Sequence, residues 1–257
     1  MALITLTTDF GTGDWFVGAM KGVMISVSGR NRIVDITHDI PPGDILAGAF
    51  ALAQSYKYYP PQTIHVAVVD PGVGSDRPAI AVETANFTFV GPDNGVLSLA
   101  LANEDVKAIH QIENEDLFCH PVSQTFHGRD IFAPVAAHLG REASAADVGP
   151  ALTDLIKLPF PSIQIQGDLQ IGQVIHIDRF GNAITNIPAD AIKESTSHQQ
   201  VILYNGATCN LRQFYSEVAN GEALALIGSS GYLEIAVNGG NASDKLDLKV
   251  GSAVSLR

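Results

Sequence analysis

Residues 63–77, TIHVAVVDPGVGSDR, hold the pattern that decides the fold. TIHVAVV reads as a strand that ends at Asp70, where Pro71, Gly72 and Gly74 break it. Upstream, the apolar and β-branched run ALITLTT stops in the same way at Asp9, ahead of the turn residues Gly11 and Gly13. From Trp15 to about Val27, Phe16, Met20, Val23 and Met24 fall at helical spacing, and RIVDITH then reads as a second strand. IPPGD makes a turn whose Asp44 can cap a helix over ILAGAFALAQSYKYY. Downstream, AIAVET and FTFV form a hairpin and GVLSLALAN a further helix; DIFAPVAAHLGR is helical, shortened or kinked by Pro134. Strands alternating with helices predict βαβ units and a largely parallel sheet.

The texture changes at LPFPSIQIQGD. Beyond it come short strand-like runs, LQIGQVIHID, NAITNI, QQVILYNGATCN, ALALIGSS, GYLEIAV and VGSAVSL, with Gly-, Asn- and Ser-rich spacers. That pattern predicts a small antiparallel barrel or sandwich. The expected organisation is therefore an N-terminal α/β sandwich-like domain over 1–160 and a C-terminal all-β barrel domain over 161–257.

Twenty-seven acidic against 15 basic residues give a net charge of -12 in 257 residues, which argues against nucleic-acid binding. No apolar run approaches the roughly 18–20 residues that span a bilayer, and the start lacks signal-peptide features. Cys119 and Cys209 have neither metal-type nor redox-type spacing. A cytoplasmic protein without a disulfide framework is expected.

In open α/β sheets, ligands collect beyond the carboxyl ends of strands, so Asp9 and Asp70 could face one crevice. A carboxylate there can accept both hydrogen bonds of a ribose diol, although each Asp reads equally well as the cap of its own turn. Gly11, Gly13, Gly18 and Gly22 lack the dinucleotide spacing; they read as a tight turn and a helix packed closely on the sheet. Asp70 and Arg77 share a loop and can pair. His127, in TFHGRDIFAP, precedes a helix, where a cation is disfavoured; a neutral ring beside an Asp–Arg pair could take a proton from water, or serve only as a structural hydrogen-bonder. In DRFGNAITNI, Phe180 and Asn182 offer adenine a stacking face and a donor–acceptor edge, features that many barrel turns share. Ser229 and Ser230 precede a strand on which Tyr232 and Glu234 share a face, with an edge strand and a solvated Glu234 as the alternative.

Taken in order, TDFG, VVDPGVGSDR, GPDNG, TFHGRDIFAP, DRFGNAITNI and SSGYLEIAVNGGNA resemble the S-adenosyl-L-methionine (SAM) hydroxide adenosyltransferases, relatives of the fluorinating and chlorinating adenosyltransferases, over nearly the whole chain. The resemblance implies a homotrimer with active sites between one subunit's N-domain and its neighbour's C-domain. It implies no metal and no organic cofactor, SAM being the substrate. By position, Asp9 resembles the ribose-gripping residue, Asn182 the adenine reader, and Phe180 part of the apolar wall. Asp178 and Ser229 resemble the methionine-end contacts, and Val237 and Gly239 the backbone at the adenine edge. Ser230 replaces an Arg of the fluorinating enzyme; Glu234, with Tyr232 beside it, could orient substrate. Asp70, Arg77 and His127 match the water-activating triad, with His127 as proton acceptor or Arg77 in direct contact with the water.

Halogenating relatives carry uncharged aromatic residues where this chain has Asp70 and His127, and a carboxylate opposes halide entry. Hydrolysis of SAM to adenosine and L-methionine is therefore expected. A chloride-using halogenase and a non-catalytic SAM or adenosine sensor are the alternatives.

Overall fold

The computed structural model describes residues 2–141, 143–167, 169–192 and 200–257. The chain divides into two compact units, Met1–Pro159 and Phe160–Arg257. The first is built on a seven-stranded mixed sheet. Its strands are β1 (Leu3–Thr8), β2 (Arg32–Thr37), β3 (Ile64–Val68), β4 (Ala79–Thr84), β5 (Thr88–Pro92), β6 (Val106–Gln111) and β7 (Ala151–Leu152), ordered β2-β1-β3-β5-β4-β6-β7. The run β2-β1-β3-β5 is parallel, and the expected β4–β5 hairpin turns the remainder antiparallel. Half of the strand pairs are thus parallel, because AIAVET returns through a short turn instead of a helix.

Helix α1 (Phe16–Val27) buries Met20 and Met24 with α4 (Ala133–Leu139) in one apolar cluster. Helix α2 (Ile45–Ser55) buries Ala47 and Leu52 with α3 (Ser98–Leu101) in another. Phe132 in the first cluster and Phe89 in the second are wholly buried, each contributing roughly 1.5–3 kcal/mol. Asp44 caps α2 as expected, its Oδ1 accepting from Ala47 N at 2.9 Å, a contact worth about 1 kcal/mol. Gly18 and Gly22 correct the sequence reading: they lie on the exposed face of α1, and a Cβ at either would meet nothing within 4 Å. Gly11, at φ +66°, does make the tight turn.

The second unit is a mostly antiparallel sheet of β8 (Gln164–Gln166), β9 (Leu169–Ile177), β10 (Ala183–Pro188), β11 (Gln200–Leu203), β12 (Thr208–Asn210), β13 (Ala223–Ile227), β14 (Tyr232–Val237) and β15 (Ala253–Leu256). Its order is β12-β11-β15-β9-β10-β14-β13, with β8 on β9. A bridge between Leu211 and Ala225 brings the end of β12 to β13, so the sheet nearly closes into a barrel around Val174, Ile187, Leu233 and Ile235. A short helix, α5 (Ala242–Leu246), follows β14.

Candidate active site

In the first unit the chain leaves β1 for β2 on one side and returns to β3 on the other, with α1 and α2 on opposite faces. This is a topological switch point, where a crevice opens beyond the carboxyl ends of β1 and β3. Asp9 follows the last residue of β1, and Asp70 comes two residues after the end of β3. Both line one cavity of about 400 Å³ together with His127, Phe10, Phe16, Thr125 and Phe126. Asp9 Oδ2 accepts from Gly43 N at 2.8 Å.

Arg77 stands behind Asp70. Its Nε donates to Asp70 Oδ1 at 2.8 Å, its Nη2 donates to Asp70 Oδ2, and Nη2 also lies 2.9 Å from His127 Nδ1. A guanidinium has no acceptor, so Nδ1 carries the ring's lone pair and Nε2 the hydrogen. Burial first, and then the Arg77 charge, hold His127 below the usual histidine range, against the opposing pull of Asp70 and Asp130. Burial and Arg77, not the start of a helix as the sequence suggested, disfavour the charged ring, and its lone pair is already committed to Arg77. A proton can reach it only at Nδ1, in exchange for that bond. After His127 the chain runs through Gly128–Phe132 as a wide turn, with Ala133 N bonded to Gly128 O, and α4 begins only at Ala133. Pro134 thus falls in the first helical turn, where its missing N–H costs nothing.

The remaining candidates belong to the second unit. Asp178, Phe180 and Asn182 share one turn after β9. Asp178 Oδ1 accepts from Phe180 N and Asn182 N, both at 2.8 Å, and Oδ2 accepts from Asn182 Nδ2 at 3.2 Å. Asn182 is buried, whereas the Phe180 ring is 78% exposed. Glu234 lies on β14 between β10 and β13 and is 5% exposed, which removes the solvated edge-strand reading. Burial raises its pKa, as does the nearby Asp178 charge, while a hydrogen bond from Tyr215 Oη to Oε1 at 2.7 Å opposes them. Ser229 is exposed on the β13–β14 turn; Ser230 Oγ beside it is buried without a hydrogen-bond partner among the described residues. Tyr232 packs near Phe160, with ring centres 6.2 Å apart. Val237, buried at the far end of β14, accepts from Gly240 N at 3.0 Å, and Gly239 turns at φ +67°.

Two features escaped the sequence reading. Tyr215 lies 19 positions before its partner Glu234, in a segment with no strand pattern. Phe10, Phe16 and Phe126 form an aromatic wall with ring centres 5.1–5.9 Å apart; only Phe16 had stood out, as a helix-face residue.

Residues 4–149 match the SAM hydroxide adenosyltransferase N-terminal domain, and residues 172–255 match the C-terminal domain of the same family. The chain belongs to the SAM hydroxide adenosyltransferase family. An (R)-S-adenosyl-L-methionine hydrolase of Salinispora tropica is 40% identical to it over 96% of this chain and 95% of its own length. A protein of the same name from Methanocaldococcus jannaschii is 38% identical, over 96% and 92%. More distant is a fluorinase of Actinoplanes sp., 25% identical over 99% and 97%. Among solved structures, an uncharacterized conserved protein from Thermotoga maritima superposes with a TM-score of 0.92 at 36% identity, covering 99% of both chains.

Among the described residues no group of three His, Cys, Asp or Glu side chains could hold a metal ion, and no helix is long and apolar enough to cross a membrane.

Proposed function

We infer that this chain hydrolyses S-adenosyl-L-methionine, water attacking ribose C5′ in line with the departing sulfonium, to give adenosine and L-methionine. The observation that carries the reading is the bonded set Asp70–Arg77–His127 facing the same cavity as Asp9, in a chain whose relatives at 38–40% identity are named as hydrolases of this substrate. Plain binding needs no such set. A carboxylate beside the nucleophile's position disfavours a halide, which sets this chain apart from its fluorinase relatives.

The thioether leaves neutral, so no general acid is needed. Holding the attacking oxygen in line can supply up to roughly 7–11 kcal/mol. With the His127 lone pair turned to Arg77, the ring orients water by donating from Nε2. The remaining lone pairs of the Asp70 carboxylate then take the proton as the C–O bond forms. An oxygen bonded to a third partner is strongly acidic, so a weak base suffices at that stage. Asp9 takes the ribose diol. Asn182 and Phe180, with the backbone at Val237 and Gly239, take the adenine. Asp178, Ser229 and Ser230 hold the methionine end, and Glu234, flanked by Tyr232, orients the substrate.

The protein works in the cytoplasm as a homotrimer, each site joining one subunit's N-terminal unit to its neighbour's C-terminal unit. The substrate is the (R)-sulfonium diastereomer for which the relatives are named.

Chromatography of a mixture of both diastereomers is the test. Adenosine should appear with no added cofactor and stop once the (R) form is consumed; 5′-chloro-5′-deoxyadenosine in excess chloride, or saturable binding without turnover, would replace this reading by one of its rivals. Mixing inactive His127→Ala and Asn182→Ala proteins should restore activity in mixed trimers, and no recovery after subunit exchange would place both residues in one subunit's site.

A further inference from the structure

His38 lies just beyond β2, is 4% exposed, and touches the β1–α1 turn at two points. Its carbonyl accepts from Gly11 N at 2.7 Å. Its ring Nδ1 lies 2.8 Å from Oγ1 of the wholly buried Thr8. Oγ1 in turn accepts from Phe10 N at 3.2 Å. Thr8 and Phe10 are the two residues that flank Asp9. On the other side of the ring, Nε2 lies 3.0 Å from Asp35 Oδ1, bent from the linear hydrogen-bond direction, and Asp35 Oδ2 accepts from Lys21 Nζ of α1 at 2.6 Å.

The proton positions follow from the chemistry of the groups. A carboxylate only accepts, and a lone pair aimed at it would be repelled, so Nε2 carries the hydrogen. With the hydrogen on Nε2, Nδ1 accepts and the Thr8 hydroxyl donates to it. That donation leaves the Thr8 oxygen lone pairs to receive the Phe10 N–H. His38 and Thr8 thus form a directed pair that fixes both sides of Asp9, with Asp35 and Lys21 close behind the ring, while Gly43 N holds the Asp9 carboxylate.

We propose that His38 is a positioning residue: acting through Thr8, it sets the turn that carries Asp9 and so governs affinity for the ribose diol without touching the substrate. This rests on the assignment of Asp9 to the ribose. Binding of adenosine and of 2′,3′-dideoxyadenosine, measured by calorimetry, separates a diol-specific role from a general one. Thr8→Val, which keeps the shape and removes the hydroxyl, should weaken adenosine about 3- to 10-fold, the worth of one hydrogen bond. It should leave the dideoxynucleoside unchanged, raise KM by the same factor and spare kcat. Thr8→Ser should restore binding. His38→Leu should repeat the loss, and His38→Asn, whose side-chain oxygen can stand near Nδ1, should recover most of it. Equal losses for both nucleosides, a fall in kcat at constant KM, or failure of both conservative variants to rescue would overturn the proposal. Asp9→Asn serves as the reference. Should it leave adenosine binding intact, the ribose assignment fails and the proposal with it; should it weaken adenosine while Thr8→Val and His38→Leu do not, only the role of His38 fails.

Discussion

The Asp70–Arg77–His127 set of the first unit and the face around Glu234 and Ser230 in the second are held in opposite ways. In the first unit the candidate charges are tied to one another: Asp70 to Arg77, Arg77 to His127, Asp9 to the backbone at Gly43. In the second, Glu234 is buried with Tyr215 on one oxygen, Ser230 Oγ is buried without a partner among the described residues, and Phe180 is 78% exposed. A set whose donors and acceptors are already matched is preorganised, as a reacting centre requires. A buried polar atom without a partner suits a surface completed by something else. The proposed division is thus chemistry and the ribose contact in the first unit, and the adenine and methionine ends in the second.

The strongest way to break that division is His127→Ala, expected to lower kcat about 10²–10³-fold, the cost of one preorganised donor, while adenosine binds as before; near-normal turnover in steady-state assays would remove the ring from the reaction. Arg77→Ala should cost as much in rate and also lower stability by about 3–5 kcal/mol, since it strands an Asp70 side chain that is only 5% exposed. A denaturant titration reads the second effect. Next in size, Asp9→Ala should weaken adenosine by roughly 2–3 kcal/mol with a smaller change in kcat, as measured by calorimetry.

The first unit also holds an acid-sensitive core residue. His65 is fully buried, its Nδ1 2.7 Å from Thr5 Oγ1, and burial lowers its pKa from 6.5 to about 3. The unfolded chain binds this proton below pH 6.5 and the folded chain does not. Stability should therefore be complete above that pH and decline on acidification at up to about 1.4 kcal/mol per pH unit. Urea midpoints from pH 7 to pH 5 check this, and His65→Leu should flatten the slope. The smallest effect is expected from Tyr215→Phe. Loss of one hydrogen bond to Glu234 should cost about 1–2 kcal/mol in stability of the second unit and leave kcat nearly intact; a large fall in kcat would move Glu234 from recognition to chemistry.

Much of this was legible in the sequence. ALITLTT and TIHVAVV each end at an Asp, so the crevice at Asp9 and Asp70 follows from strand ends alone. The Asp70–Arg77 pair follows from their shared loop. His127 was picked out among eight histidines by its helix-start position and by resemblance, because its partner lies 50 residues away. Its committed lone pair was not legible, since a ring's orientation depends on packing. Gly18 and Gly22 were misplaced because helical spacing does not distinguish a packed face from a bare one. Glu234 stayed ambiguous because a charged residue within an apolar strand fits an edge as well as a pocket, and Tyr215 decides between them. The β4–β5 hairpin was legible in AIAVET and FTFV; what the alternation of strand and helix did not show is that β6 and β7 continue the sheet antiparallel beyond it.

Near closure of the second unit bears on how the chain avoids self-association through its backbone. The bridge at Leu211 and Ala225 leaves little open edge there. The first sheet does end in two edges, but one is the two-residue β7, and the other, β2, carries the exposed charged residues Arg32 and Asp35. Short length and a charged side chain are what deny an incoming strand a template, so neither rim invites fibril-type addition even at high protein concentration.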